Sequence, residues 1–513
     1  MNRFLATTCL VASFLVPTQA ARSQCLVQTV PTPEPSKVPQ QFGDSVAVDG
    51  DRMVVAAMSF ESTGRLFVYE RGANGWQLTT GLTANPPGEL LGITIALEGN
   101  RIAATRKDHS IVIFECDPAT QIWSQSYVIQ DHSEDDSFGT ALDFVDGKLI
   151  IGSLYGSDPT HYGAVYVYAK TALGWTEIQN VVPNDAPNPE KNFGVRLEAR
   201  GNLLLVASNE SIGFQAPGAV YVFELGPNGY VQTQKLASPN WEINGQFGAD
   251  MSIGPSRVLI SAPEELGQNG RVYVYGITPN GLLLEATLTG SPDPNAVWFG
   301  DEVQFADDRV FAFEYGFNGY VPNISVFELI GGAWKCTDHL HDIGAQHFSY
   351  ARYIEGAGNE LIVTVPLETQ QVDGYEGKFV VYRFGDRPFG EGCAGSFGVV
   401  PRLDLGGCAI GGEKMGFEIE DAFGGGIAFA ALGMQKGSVP LGAGCSLLIW
   451  PILPSLVGPF PLDGAGIGGG SCNLGFVVPP GVPSGTYLLQ ALCSDPTSAL
   501  GFTTTNGIEL TAP

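Results

Sequence analysis

Phe42-Gly43-Asp44-Ser45-Val46-Ala47-Val48-Asp49-Gly50-Asp51-Arg52-Met53-Val54-Val55-Ala56-Ala57, continued after a short loop by Gly64-Arg65-Leu66-Phe67-Val68-Tyr69 and then Trp76, is the stretch on which the fold is read. Small and apolar residues alternate over Ser45 to Val48, as in a strand packed on both faces. Asp49-Gly50-Asp51 is a tight hairpin turn, where glycine tolerates positive φ. Met53 to Ala57 forms a second strand and Gly64 to Tyr69 a third with alternating aromatics, and Asn74-Gly75 turns the chain into a fourth that opens at Trp76. The phrase returns. A Phe-Gly pair or its relic stands at Phe42-Gly43, Leu91-Gly92, Phe138-Gly139, Phe193-Gly194, Phe247-Gly248, Phe299-Gly300 and Phe348-Ser349, in steps of 49, 47, 55, 54, 52 and 49 residues. Strand-rich repeats of this length are propeller blades, each too thin to bury its faces without its neighbours. The expectation is an all-β chain: a seven-bladed β-propeller over 26–384, followed by a small antiparallel β-sandwich over 385–513.

The third-strand phrase recurs as Gly163-Ala164-Val165-Tyr166-Val167-Tyr168, Gly218-Ala219-Val220-Tyr221-Val222-Phe223 and Gly270-Arg271-Val272-Tyr273-Val274-Tyr275. Trp76, Trp123, Trp175, Tyr230, Leu282 and Trp334 announce fourth strands and read as blade-packing residues. No fourth strand follows Tyr382, but Leu26 to Val30, ahead of the first repeat, can complete the last blade and hide an open sheet edge.

These motifs, the Phe-Gly pair, the Val-Val-Ala-Ala or Ser261-Ala262-Pro263 element and Gly-Ala-Val-Tyr-Val-Tyr, resemble the FG-GAP repeat, the blade unit of integrin α-subunit heads and of many exported bacterial proteins. The resemblance covers about residues 26 to 384 and is strongest in the first, third, fourth and fifth repeats. It implies a propeller and suggests calcium loops between first and second strands. The residues argue against calcium, because turns such as Asp49-Gly50-Asp51, Arg200-Gly201-Asn202 and Gly254-Pro255-Ser256 lack the spaced oxygen ligands that ion takes. No cofactor or metal is expected.

The 513 residues carry 26 Lys+Arg against 53 Asp+Glu, a net charge of -27 that repels phosphate backbones and makes nucleic acid an unsuitable partner. Met1 to Ala20 reads as a signal peptide: Arg3, an apolar run from Phe4 to Pro17 too short to span a bilayer, and a small-residue cleavage site at Thr18-Gln19-Ala20. The chain is therefore read as secreted, to the cell surface, periplasm or outside, with no membrane span. After removal of Cys9 with the signal, five of the eight remaining cysteines fall in 393–513, so one of those five is free or pairs elsewhere. A Cys25–Cys336 bridge is one conceivable pairing.

Catalytic signatures are missing. Ala394-Gly395-Ser396-Phe397-Gly398 lacks the first glycine of a nucleophile elbow. Cys336, His339, His341 and His347 are zinc-ligand types, but simple strand alternation sets Cys336 on the face opposite His339 and His341. The loops joining second and third strands vary in length on one rim, as binding loops on a rigid scaffold do. The residues expected to bind there are Asp158, His161, Glu264, Glu265, Tyr315, Asp373 and Tyr375. From Gly385 the chain is rich in Gly, Pro and Cys and resembles a C-terminal module of exported planctomycete-like bacterial proteins. The reading is a non-catalytic exported scaffold that binds a protein or glycan. The rivals are a polysaccharide-degrading enzyme using the central channel and a purely structural surface component.

Overall fold

The computed structural model describes residues 24–512 apart from the segments 34–40, 131–136, 155–162, 185–191, 209–216, 317–322, 341–352, 366–376, 408–413, 450–456 and 478–484 and a few single positions. Two compact units divide the chain, one of Leu26–Tyr382 and one containing Arg383–Pro513.

The first unit is a β-propeller of seven antiparallel sheets, six of four strands and one of five, among the described residues. Blade one is Phe42–Asp49, Arg52–Ala57, Arg65–Gly72 and Gly75–Leu82, paired in chain order. The first strands of successive blades lie side by side all the way round, with Phe42–Asp49 of blade one meeting Tyr353–Ala357 of blade seven. The ring is closed by the chain start: Gln24–Pro31 pairs with Lys378–Phe384 as the outer strand of blade seven. The orphan strand expected from the sequence occupies that place.

The Phe-Gly pair is the joint between blades. Phe42, Phe138, Phe193, Phe247 and Phe299 are at most 1% exposed, and Leu91, where the pair has lost its aromatic, is equally buried. Phe193 packs edge-on against Tyr221 at 5.3 Å and beside Phe223 at 6.1 Å, both from the third strand of its own blade. Burying each such ring contributes about 2–3 kcal/mol. Gly194 has φ +95°, and a Cβ there would sit 2.6 Å from the Ala164 carbonyl oxygen of blade three. Gly163, which opens the third strand of blade three, approaches so closely that a Cβ would lie 2.0 Å from Phe193 O, and the two residues form a parallel bridge. Glycine recurs at these two places because one blade's backbone touches the next.

Outer strands are joined by a second device. Gln28 donates from Nε2 to Trp76 O at 2.7 Å and accepts from Trp76 N at 2.8 Å, linking blade seven to blade one. Gln179 grips Tyr230 and Gln234 grips Leu282 in the same two-bond manner. The gripped residues Trp76, Tyr230 and Leu282 are buried.

In the second unit, Asp386–Phe389, Phe502–Ala512, Gly485–Ser494, Ile427–Gly433 and Val457–Pro461 make one sheet; Arg402–Gly407, Lys414–Gly424 and Gly466–Val477 make another; Lys436–Gly442 and Cys445–Ile449 form a hairpin. The two larger sheets share one apolar core, with Leu403, Phe417 and Ile419 on one side and Ala430, Leu489 and Ile508 on the other. Cys393 and Cys445 form a disulfide, while Cys472 and Cys493 are buried thiols.

Candidate functional site

The seven first strands enclose a central channel of about 710 Å³, lined among others by Ala47, Asp143, Glu198, Ser252, Gln304 and Glu355. Each first strand is a sheet edge, so its outward N–H groups have no ladder partner of their own. Side chains from the preceding blade supply acceptors. Gly99 N donates to Asp49 Oδ2 at 2.6 Å, Gly147 N to Glu98 Oε1 at 3.0 Å, and Ala199 N to Asp143 Oδ2 at 2.7 Å. Further round, Ile253 N donates to Glu198 Oε1 at 3.4 Å, Val303 N to Asp250 Oδ2 at 2.7 Å, and Phe305 N to Ser252 Oγ at 3.2 Å. Gln304 Nε2 then donates to Glu355 Oε2 at 3.2 Å, reaching blade seven. From blade one to blade six the acids thus form a directional inner ladder, each accepting a backbone N–H of the next blade, while at blade seven Glu355 accepts from the preceding blade.

Burial and crowding raise the proton affinity of Asp143, Glu198, Asp250, Asp301, Glu302 and Glu355. Burial pushes Asp143 and Asp250 up to about 7, against the backbone N–H bonds that favour the charged form. Glu355 is pushed up to about 8, first by burial and then by the charges of Asp250 and Asp143. Glu198 and Glu302 are raised by burial and by their acidic neighbours, and Asp301 is raised by burial. Arg196 is the cation that counters Asp250, Asp301 and Glu302. Near neutral pH the channel therefore holds a mixture of protonated and ionised carboxyls, able to donate as well as accept hydrogen bonds.

Asp158, His161, Asp373 and Tyr375 lie outside the described residues, as do His341 and His347. Glu264 accepts from Gln246 Nε2 at 2.7 Å on the rim of blade five. Glu265, expected as a ligand-facing loop residue, is instead fully buried. It accepts from Ser238 Oγ, from Tyr273 Oη at 2.5 Å and from Arg271 Nη1 at 3.0 Å, and so ties the loop down. The short helical turn Glu265–Gln268 turns its side chain inward, which the sequence alone did not show. Tyr315 hydrogen-bonds Asp301 and packs on Trp298 at 5.8 Å, placing it beside the acidic cluster rather than with Glu264.

Sequence reasoning passed over the channel acids. Their signal was present: Asp143, Glu198 and Glu355 stand within first strands, and Asp250 and Glu302 stand directly before them. Two further corrections concern cysteine. Cys336 is an exposed free thiol, so it is not bridged to Cys25. Cys336 and His339 also meet, with Sγ 3.6 Å from Nε2. A β-bulge is the reason: Val326 pairs with Asp338 but Phe327 with Cys336, leaving Thr337 as an extra residue that resets the alternation. Among the described residues no three His, Cys, Asp or Glu side chains are grouped so as to hold a metal ion.

No family model matches the chain, and no curated protein matches it. Solved structures with similar folds are β-propellers. The WD40 repeats of RRP9 are 12% identical, cover 71% of this chain and 99% of their own, and superpose with a TM-score of 0.45. The β-propeller domain of Cps50 (Swd1) from Myceliophteria thermophila is 8% identical over 69% of this chain and 99% of its own, at 0.44. A putative 6-phosphogluconolactonase from Bacteroides uniformis is 11% identical over 58% and 85%, at 0.43.

Proposed function

We propose that the chain is an exported, non-catalytic interaction scaffold whose propeller is of the FG-GAP, integrin-α-head-like type, and that its rim loops bind a protein or a glycan. The observation that carries this reading is the inner ladder: Asp49, Glu98, Asp143, Glu198 and Asp250 each accept a backbone N–H of the next blade, an architectural task. Export is supported by the leader-like N-terminus and by the Cys393–Cys445 disulfide, a bond that persists in oxidising compartments. Among the described residues no helix is long and apolar enough to cross a membrane.

Capture assays against arrayed glycans and cell-surface proteins test this, with Glu264→Ala as the rim variant. Saturable binding that weakens in a rim variant of unchanged melting temperature supports the scaffold. Failure of the folded propeller to bind either class removes it. One observation favours the enzyme reading: carboxyls with raised proton affinity beside ionised ones are the arrangement that acid–base hydrolysis of glycosides uses. Polysaccharide turnover that is abolished by Glu198→Gln, in a protein that still melts cooperatively, would establish that alternative.

A further inference from the structure

A chain of polar groups that the channel and rim do not use runs across blade six, from Arg309–Gly316 through Asn323–Ile330 to the outer strand Ala333–Leu340. It begins at the buried Glu314, which is 1% exposed. Asn323 Nδ2 donates to Glu314 Oε1 at 2.7 Å, which fixes the amide with its Oδ1 as the acceptor end. Ser325 Oγ donates to that Oδ1 across a long 3.5 Å. A hydroxyl has one proton, so Ser325 Oγ, 3.1 Å from His339 Nδ1, accepts there from the ring N–H. With Nδ1 as the donor to Ser325 Oγ, Nε2 is the ring atom that meets Cys336. Cys336 Sγ lies 3.6 Å from that Nε2 and 3.6 Å from the Asp338 carbonyl oxygen.

An accessible thiol, a base within reach and a third group orienting the base are the parts of an activated nucleophile. We infer that Cys336 is a covalent attachment site at which the thiol, assisted by His339, exchanges with a disulfide carried by a partner molecule. In the exchange the Sγ–H proton passes to His339 Nε2, Sγ attacks one sulfur of the partner's disulfide, and a new S–S bond forms as the old one breaks. The expelled thiolate takes the proton from the imidazolium and leaves as a thiol, so no outside oxidant is needed. Charge around the thiol makes the base necessary. Partial burial pushes the Cys336 thiol up, and the carboxylates of Glu314 and Asp338 push it further, so unassisted ionisation near neutral pH is slight. Cys116, Cys472 and Cys493 are buried and do not compete for reagent in the folded protein.

The test is the rate of reaction of the folded full chain with a small neutral aromatic disulfide, followed by the released thiol and mapped by peptide mass. Cys336→Ser is expected to remove the fast phase. His339→Gln is expected to slow it about tenfold near pH 7 and to give a rate that climbs about tenfold per pH unit, as an unassisted thiol does. Ser325→Ala, a positioning change, is expected to move the profile part of the way while leaving the melting temperature within a few degrees. The inference is overturned if label appears elsewhere than Cys336, or if wild type and His339→Gln share one steep pH profile. Should His339→Gln fail to fold, the same profile measured on wild type and Ser325→Ala decides the matter.

Discussion

At the scale of single residues, the chain shows how polar groups are spent inside a ring of sheets. Glu265 would be an uncompensated buried charge without Arg271, Tyr273 and Ser238. Replacing it with Ala strands the guanidinium and both hydroxyls, and is expected to cost about 3–5 kcal/mol by chemical denaturation. The channel carboxyls carry a pH signature whose sign follows from their direction of shift. Their proton affinities are raised in the folded state, Asp143 and Asp250 to about 7 and Glu355 to about 8. Raised groups stabilise fully below their unfolded values near pH 4, and that contribution is lost as pH rises through about 7 to 8. The melting temperature is therefore expected to be several degrees lower at about pH 8.5 than at about pH 5.5. Glu355→Gln should flatten that dependence while keeping an acceptor for Gln304. A profile that climbs toward alkaline pH would contradict the account of the channel. These acids were visible in the sequence as carboxyls within or directly before the first strands. Their meaning was not, because only the ring brings one blade's carboxylate to the next blade's N–H.

At the scale of elements, the repeat is a set of joints more than a set of strands. Phenylalanine supplies buried area and glycine supplies closeness, so the motif persists at Leu91-Gly92 with another apolar residue in the first place. Gly194→Ala forces an L-residue to positive φ and drives a methyl toward Ala164 O, and is expected to cost about 2 kcal/mol or more, read as a lower denaturant midpoint. Gly201→Ala is the control, because its Cβ would meet nothing within 4 Å. That change carries only the backbone penalty, and a loss equal to that of Gly194→Ala would refute the close-approach argument. Fourth strands hold a device that strand periodicity hides. The register slips by one residue at Val68/Tyr69, Ile113/Phe114, Val167/Tyr168, Val222/Phe223, Val274/Tyr275 and Val326/Phe327. Alternation read straight through such a bulge assigns the wrong face, which is how Cys336 and His339 came to be separated on paper and joined in space.

At the scale of the whole propeller, closure depends on the strand Gln24–Pro31, whose Gln28 grips Trp76 as Gln179 grips Tyr230. Deleting residues 24–31 exposes the edge of Lys378–Phe384 and breaks the grip on blade one. The expected result is a melting temperature lowered by roughly ten degrees or more with a broadened transition, since blades are stable only through their neighbours. An unchanged cooperative melt would show that the ring does not need this strand. The sequence by itself determined the all-β class, the blade period and the residues of the joints, because packing between blades demands the same side chains at every turn of the repeat. It also carried the place of the closing strand, as an unpaired piece at one end and a missing strand at the other. Only the tertiary structure decided which polar residues meet. Glu265 turned inward, the channel acids became a ladder, and Cys336 found His339, because each of those contacts joins groups whose orientation is set by a bulge, a buried partner or a neighbouring sheet, none of which is written in local spacing.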